Sequence, residues 1–471
     1  MPLVAPVPLL PATQVGSVHF IAIGGAGMSA IAALYADLGI RVTGSDQADS
    51  AALQELRRQG VTAHVGHDAA YLGDAETVVV SSAVRESNVE LAEARRRGLR
   101  IWHRSAALGA LMLERAGVAV TGTHGKTTTS AMIAVLLAEC GADPSYVIGS
   151  PLTSSGRGSW IGGGEAFVIE ADESDGSFLQ YPAEIVVVTN IEADHLDNWG
   201  TPQAYADGFV RLALQPTVRT VVLDADDPGA RQLAAALAGS GKQLVRVGES
   251  ADADVRLSDL GFAGATAYAV LEADGDVGPL ELAVPGRHNL HNAAVAYAVG
   301  RALGLDGPRL RAAAAAFNGT HRRFQWVAEV DGVTIVDDYA HHPTEVVATL
   351  TAARVYAGDQ RVVACFQPHL FTRTRDFAAE FAQALTLADQ VVVLGIYPAR
   401  EDPIPGVTGE LVADVLRELI GAQRVRYVAA VTDAPQALVG LVVPGDLVVT
   451  LGAGDVTGVG PVLAERLRER R

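Results

Sequence analysis

Thr121-Gly122-Thr123-His124-Gly125-Lys126-Thr127-Thr128-Thr129 follows an apolar run, Val118–Val120, and precedes an alanine- and leucine-rich segment that ends at Glu139. An apolar strand, a glycine turn and a helix in that order make a phosphate-binding unit. Backbone amides and the helix N-terminus face an anion, and a compact ammonium after the second glycine reaches phosphate oxygens. The pattern here is Gly-x-x-Gly-Lys-Thr. It is shorter than the common Walker loop, which would need glycine where Val120 stands. Lysine is otherwise nearly missing: among 471 residues only Lys126 and Lys242 are lysine, and Lys242 is expected on the surface. Arginine supplies every other strong cation, so a lysine kept in this loop suits a point charge rather than a planar fork. Thr127 can offer a hydroxyl to Mg²⁺.

The same strand–turn–helix theme runs outward in both directions. A first region spans about 18–115, with predicted strands at Val18–Ile23, Ile40–Thr43, Thr77–Val80 and near Ile101. Met28, Ile31, Tyr35 and Leu38 share one face of its first helix. In the second region, the strands Phe167–Glu170, Ile185–Thr189 and Thr220–Leu223 follow the phosphate loop. A β-rich stretch, Gly241–Gly286, and a helix, His288–Leu303, complete it. The third region begins near Arg322, with strands at Val333–Asp337, Arg361–Phe366, Val391–Gly395 and Leu447–Leu451. Helices alternate with them. Such alternation predicts an α/β fold with parallel sheets.

Composition bounds the function. Hydrophobic residues make up 49% and charged residues 19%, an ordinary globular balance. A net charge of -18 excludes the basic footprint of a nucleic-acid binder and leaves room for nucleotide ligands. Two cysteines, Cys140 and Cys365, give no disulfide framework, so a reducing cytoplasm is expected. The first 16 residues carry four prolines and no basic leader, and read as a flexible extension. No apolar run reaches the roughly 18 residues of a membrane span.

Polar groups cluster at predicted strand ends, where open α/β sheets bind ligands. Glu170-Ala171-Asp172-Glu173-Ser174-Asp175 reads either as a Mg²⁺ site facing phosphates or as a solvated acidic loop. In Asn190-Ile191-Glu192-Ala193-Asp194-His195, His195 reads as a metal ligand or a surface histidine. Gly24-Gly25-Ala26-Gly27-Met28-Ser29 is a dinucleotide-type turn, with Asp46 about 20 residues on, where a ribose-binding acid belongs. Asp337–Pro343 and Gln367–Arg375 end two further strands. Arg373 and Arg375 can hold a carboxylate or phosphate, or simply form a solvated basic patch.

In this order and spacing, the pieces resemble the Mur ligases over about 17–465, most closely the alanine-adding branch. The matching stretches are Gly24–Ser29, Gly44-Ser45-Asp46, Gly122–Thr129, Glu170–Asp175, Asn190–Asp197, Gly286–Asn289 with Asn292, Arg322–Phe324, Asp337–Glu345 and Gln367–Arg375. The resemblance implies three domains: a UDP-binding Rossmann-like domain at 17–115, a central P-loop ATPase domain at 116–321, and a C-terminal Rossmann-like domain at 322–471 that binds the amino acid. It implies that ATP, L-alanine and UDP-N-acetylmuramate give ADP, phosphate and UDP-N-acetylmuramoyl-L-alanine through an acyl phosphate. It also implies a cytoplasmic enzyme, monomer or homodimer, with ATP and Mg²⁺ as its cofactors. By the same resemblance Gly122, Thr123, His124, Gly125, Lys126, Thr127 and Thr128 hold ATP with Asn292, Arg323 and Asp338. Lys126, Glu173, His195, Asn289 and Arg323 serve catalysis, and Thr127, Glu173 and His195 the metal. Gly24, Gly25, Ala26, Gly27, Met28, Ser29, Asp46, His67 and Ser81 hold the UDP part, and His341, His369 and Arg373 meet L-alanine. One departure stands out: the family commonly has arginine after the histidine of Gln-Pro-His, and here it is Leu370. If that arginine binds the alanine carboxylate, another cation substitutes, with Arg375 a candidate, or L-alanine binds more weakly. A tripeptide-recycling ligase of the same superfamily, an NAD-dependent oxidoreductase drawn from the first glycine turn, and a nucleotide switch without chemistry are the competing readings.

Overall fold

In the computed structural model, residues 3–399 and 401–470 are described. Met1 and Pro2 of the expected extension, and Arg471 of the expected third domain, lie outside them. The chain forms two compact units. One holds the chain through Ser258 with Leu271–Gly278 and His291–Ala316. The other holds Asp259–Val270, Pro279–Leu290 and the chain from Phe317.

Two sheets belong to the first unit. β1 (Val18–Ile21), β2 (Val42–Asp46), β3 (Thr62–Val65), β4 (Thr77–Val80) and β5 (Arg100–His103) run in the order β3-β2-β1-β4-β5, all parallel. All four residues of β1 are buried, as in a parallel strand covered on both faces. Strand order reverses at β1, so the crevice beyond its carboxyl end is a topological switch point. The glycine turn sits there and opens the helix Ala26–Asp37, with Gly25 as N-cap. Met28, Ile31 and Tyr35 are buried, but Leu38 lies past the helix end and is largely exposed. The predicted strand at 40–43 instead runs Val42–Asp46, which delivers Asp46 to the strand terminus.

The second sheet carries β6 (Ala116–Thr121), β7 (Ser145–Val147), β8 (Ser159–Trp160), β9 (Ala166–Glu170), β10 (Ile185–Val188), β11 (Thr220–Asp224) and β12 (Gln243–Gly248). Their order is β12-β11-β10-β6-β9-β7-β8, parallel except for the β7–β8 pair. β13 (Val255–Ala263) joins the edge of β12 at Val255, and β14 (Thr266–Ala273) and β15 (Asp276–Leu282) follow it in the chain. The β-rich stretch expected over 241–286 is therefore present. β6 is central, and the helix Lys126–Glu139 leaves its carboxyl end.

The remaining strands are in the second unit: β16 (Gln325–Val330), β17 (Val333–Asp338), β18 (Val362–Phe366), β19 (Gln390–Leu394), β20 (Val425–Val428) and β21 (Leu447–Leu451). The order is β16-β17-β21-β18-β19-β20, with only β16–β17 antiparallel. β18 and β21 are buried throughout, which is why they read as continuous apolar runs.

Two segments make contacts that spacing does not announce. The extension is hydrogen-bonded over its described residues: Val4 N–H donates to Asp175 O (2.8 Å), and Val7 exchanges two hydrogen bonds with the Gln180 side chain (2.7 and 2.9 Å). Ala12 and Val15 are buried. Its prolines restrict the unfolded chain and so lower the cost of ordering it. Lys242 is not a free surface group but donates to Gln215 O (2.7 Å) and Val218 O (2.6 Å). Both cysteines are buried thiols, and no helix among the described residues is long and apolar enough to cross a membrane.

Candidate active site

The phosphate loop is shaped by two glycines in the left-handed region, Gly122 (φ 127°) and Gly125 (φ 82°). A β-carbon on Gly122 would overlap Thr189 Oγ1, so the close approach of the β6 and β10 ends demands glycine. The neighbouring loop holds it from behind. His124 N–H donates to Asn190 Oδ1 (2.9 Å), Thr189 Oγ1–H to His124 O (2.6 Å), and Thr123 Oγ1–H to Glu192 O (2.8 Å). His124 Nε2 also meets Glu192 Oε2 at 3.0 Å. Gly125 caps the helix that carries Lys126, Thr127 and Thr128 on its first turn. Thr127 is buried, and its hydroxyl has no hydrogen-bond partner among the described residues. Asn292 lies beside the loop: its Oδ1 would be 3.5 Å from a β-carbon on Gly125.

Lys126 Nζ donates to Gly122 O (2.6 Å) and Thr123 O (3.1 Å), and sits 3.0 and 2.9 Å from the two Glu173 oxygens. Glu173 is wholly buried. Burial raises its carboxyl, Lys126 opposes and Asp172 adds to the rise, leaving it pushed up to about 7. Lys126 also moves up: burial works against its charge, but Glu173 and Asp172 outweigh that. Asp172 moves the other way. Burial would raise it, yet Arg104 and Lys126 hold it down at about 2. His195 takes a left-handed backbone (φ 52°) just before a short helix, with Nε2 3.9 Å from Glu173 Oε1 and 3.6 Å from Asp194 Oδ2. The structure thus brings Lys126, Glu173 and His195 together, with Thr127 on the same helical turn as Lys126. Behind them Trp199 Nε1–H donates to Glu173 O (2.9 Å), and Phe178, Trp199, Tyr205 and Phe209 pack edge to face. Each such pair contributes about 0.5–1.5 kcal/mol beyond its burial. Within the acidic loop Glu173 is therefore packed and paired, while Glu170, Asp172 and Asp175 stay half-buried.

At the first sheet, Gly24 N–H donates to Asp46 Oδ2 (2.9 Å), so the glycine turn and the acid expected 20 residues on meet directly. Ser29 Oγ–H caps back to Ala26 O, and Met28 is core. Gly66 N–H donates to Asp46 O (2.8 Å), placing His67 beside that turn. Ser81 follows β4 and its carbonyl accepts from Val84 N–H (3.0 Å). It is the next residue, Ser82, that reaches the acidic loop, donating to Asp175 Oδ2 (2.9 Å).

In the second unit, Asp338 is buried at the end of β17 and accepts from Phe324 N–H (2.7 Å) and Ala340 N–H (2.8 Å). Burial pushes it up to about 6 against the pull of Arg323. Arg323 lies over the Tyr339 ring (5.3 Å). Asn289 Nδ2–H donates to Pro285 O (2.6 Å), which ties the start of its helix to the loop before it. His341 and His369 meet edge to face at 5.5 Å, and His369 stacks on Tyr397 at 5.9 Å. Burial, then Arg373, push His341 down to about 4 although Glu345 opposes. His341, His369 and Arg373 therefore form one group. Arg375, the candidate stand-in for the arginine missing at Leu370, is spent on a surface pair with Asp376 (2.7 Å).

Sequence reasoning missed Arg104, which pairs with Asp172 (3.1 Å), and Tyr205, which touches Thr123 (3.0 Å) and Glu173 (3.4 Å). Neither sits in a motif, and only the fold brings them to the loop.

Comparison with known proteins agrees with this layout. Residues 17–116 match the catalytic domain of the Mur ligase family, 120–300 the Mur ligase middle domain, and 322–454 the glutamate ligase domain of the Mur ligases. The UDP-N-acetylmuramate–L-alanine ligase of Cutibacterium acnes is 63% identical over 98% of each chain. That of Thermobifida fusca is 49% identical over 99% of this chain and all of its own. Among solved structures, the UDP-N-acetylmuramate–alanine ligase of Thermotoga maritima superposes with a TM-score of 0.80 at 29% identity, covering 97% of this chain and 100% of its own. A murein peptide ligase of Psychrobacter arcticus gives 0.69 at 25% identity, over 96% and 98%. With a phosphate loop, acidic loop and glycine turn built as described, and three consecutive domain matches along nearly all its length, the chain belongs to the Mur ligase family.

Proposed function

We propose that this chain is an ATP-dependent ligase that joins L-alanine to UDP-N-acetylmuramate, the first amino-acid addition in peptidoglycan precursor synthesis. The observation that carries the reading is the full-length 63% identity to a ligase of that name, together with the buried Lys126–Glu173–His195 group at the phosphate loop.

A carboxylate has no leaving group, so it must first be phosphorylated. The substrate carboxylate attacks the γ-phosphorus, ADP departs, and the acyl phosphate forms. The alanine amine then attacks its carbonyl and expels phosphate. Phosphoryl transfer asks the protein for positioning and charge neutralisation. Lys126 and the amides of Gly122–Thr128 hold the β- and γ-phosphates, the ammonium exchanging its carbonyl partners for phosphate oxygens. Asn292, Arg323 and Asp338 are assigned to ATP, with Asn289 supporting them. His341, His369 and Arg373 are assigned to L-alanine, and Gly24–Ser29, Asp46, His67 and Ser81 to the UDP part.

The residues present fit Mg²⁺: a threonine hydroxyl without a hydrogen-bond partner among the described residues, and a buried carboxylate whose two oxygens already face a cation. Thr127 and Glu173 would hold one ion and His195 would serve a second; bound there, they neutralise phosphate charge. Ionised Glu173 is what such a site needs, and Lys126 favours that form. We propose domains at 17–115, 116–321 and 322–471, a cytoplasmic location, and a monomer or homodimer.

The test is ligation with mass detection of UDP-N-acetylmuramoyl-L-alanine, run with each amino acid and with the tripeptide. Turnover with the tripeptide and none with L-alanine would overturn the reading in favour of a recycling ligase.

A further inference from the structure

We infer that Ser45 and Glu90 fix the tautomer of His67, making its Nε2 an acceptor for a hydrogen-bond donor on the bound nucleotide, with Glu90 as a positioning residue. The inference rests on the reading that the first sheet holds the uridine diphosphate part of the substrate.

Glu90 lies in the first turn of the helix Val89–Arg96, where a carboxylate is favoured by the helix dipole, and it is wholly buried. Ser45 Oγ–H donates to its Oε2 (2.6 Å), and Asp68 N–H to its Oε1 (3.1 Å). Burial alone would raise this carboxyl, but His19, Ser45 and Asp68 together hold it below its ordinary value, so it is ionised and accepts only. The single hydroxyl proton of Ser45 is therefore committed. His67 Nδ1 faces that same Ser45 Oγ at 2.9 Å and Glu90 Oε2 at 3.5 Å. Both atoms can only accept from it, so Nδ1 carries the ring proton.

In neutral imidazole the lone pair then resides on Nε2. No protein group among the described residues partners Nε2, and the His67 side chain keeps 18% of its surface open while Glu90 has none. Gly66 N–H on Asp46 O holds the backbone that leads into His67 beside the Gly24–Asp46 turn. On the other side His19 Nδ1 meets Thr43 Oγ1 (2.8 Å), and its Nε2 is 3.5 Å from Glu90 Oε2, so one carboxylate serves two imidazoles. The complementary ligand group is a nucleoside donor, either the uracil N3–H or a ribose hydroxyl.

The test has two arms. Imidazole ¹⁵N NMR of the wild-type protein reads the tautomer directly, without any assumption about activity. The expected result is Nδ1–H for His67, and an Nε2–H signature overturns the inference. The second arm compares UDP, 2′-deoxy-UDP and 3-methyl-UDP as competitive inhibitors of wild type and Glu90→Gln. A glutamine amide can donate toward Ser45 and frees the His67 tautomer. Wild type should disfavour one analogue by about tenfold, the size of one hydrogen bond, and the analogue identifies the donor. Glu90→Gln should lose that discrimination, with KM for UDP-N-acetylmuramate raised and KM for ATP unchanged. Equal weakening of all three nucleotides would show a merely structural role and sink the proposal. Failure of wild type to bind UDP would instead overturn the functional reading, leaving the tautomer result to stand alone.

Discussion

Replacing Lys126 by arginine keeps the positive charge and changes only its shape. The ammonium sits among Gly122 O, Thr123 O and the two Glu173 oxygens, all within 3.1 Å, and its side chain is 16% exposed. Three tetrahedral donors match that cage, whereas a planar guanidinium is longer and wider. The Coulomb attraction to Glu173 survives the change, so the loss of stability is an overpacking cost of about 1–3 kcal/mol. Catalysis loses more. A displaced cation no longer meets the transferring phosphoryl group, and removing one pre-positioned donor of this kind costs about 10²–10³ in kcat. The assay is coupled phosphate release with ATP, UDP-N-acetylmuramate and L-alanine, with a thermal melt alongside. A modestly lowered melt with kcat reduced at least a hundredfold is the expected pairing. Lys126→Met separates the terms, because it also strips the buried Glu173 of its counter-charge and lowers the melting point further. A Lys126→Arg enzyme retaining more than about a tenth of wild-type kcat would refute the argument that shape, not charge, selects lysine here.

Glu173 also makes ligand-free stability pH-dependent. Its folded value, about 7, is raised above the ordinary 4.5, so its contribution is complete below pH 4.5 and declines as pH rises through 7. Between pH 5 and 8 the wild type should lose up to about 3 kcal/mol more than Glu173→Gln in urea titrations; equal slopes would reject the raised value. Asp172 works oppositely: held down at about 2, its contribution is present above its ordinary value and fades only as pH falls through 2. Gly122→Ala should destabilise the protein by about 1–3 kcal/mol from backbone strain alone, plus the overlap with Thr189, and abolish ATP binding in calorimetry. Arg373→Ala should raise KM for L-alanine about tenfold or more while Arg375→Ala, at a residue paired with Asp376, leaves it alone; the reverse pattern would assign the carboxylate to Arg375 instead.

The three sheets were legible because each buried strand is an apolar run followed by glycine or a polar cluster. Leu447–Leu451 and Thr77–Val80 fall where predicted to the residue. The weaker edges were not. β3, with only Ala63 of Thr62–Val65 buried, and β16, with Trp326 exposed, lack the apolar signal of a central strand. The contacts of residues 3–16 were not legible because their bonds go to Asp175 and Gln180, more than 160 positions away. Likewise the Lys242 contacts are to carbonyls, which leave no trace in side-chain pattern.

By itself, the sequence determined the local chemistry: which loop takes phosphate, which strand ends carry acids, which turn needs glycine. These follow from backbone conformation and residue type over a few positions, so short motifs carry them. Only the tertiary structure decided charge states and partners. Burial pushes Glu173 up to about 7, while Arg104 and Lys126 hold its chain neighbour Asp172 down at about 2 against the same effect. The same holds for His67, whose tautomer depends on Glu90, 23 residues later. Desolvation and through-space charge act over ångströms, not over sequence separation, and no reading of spacing contains them.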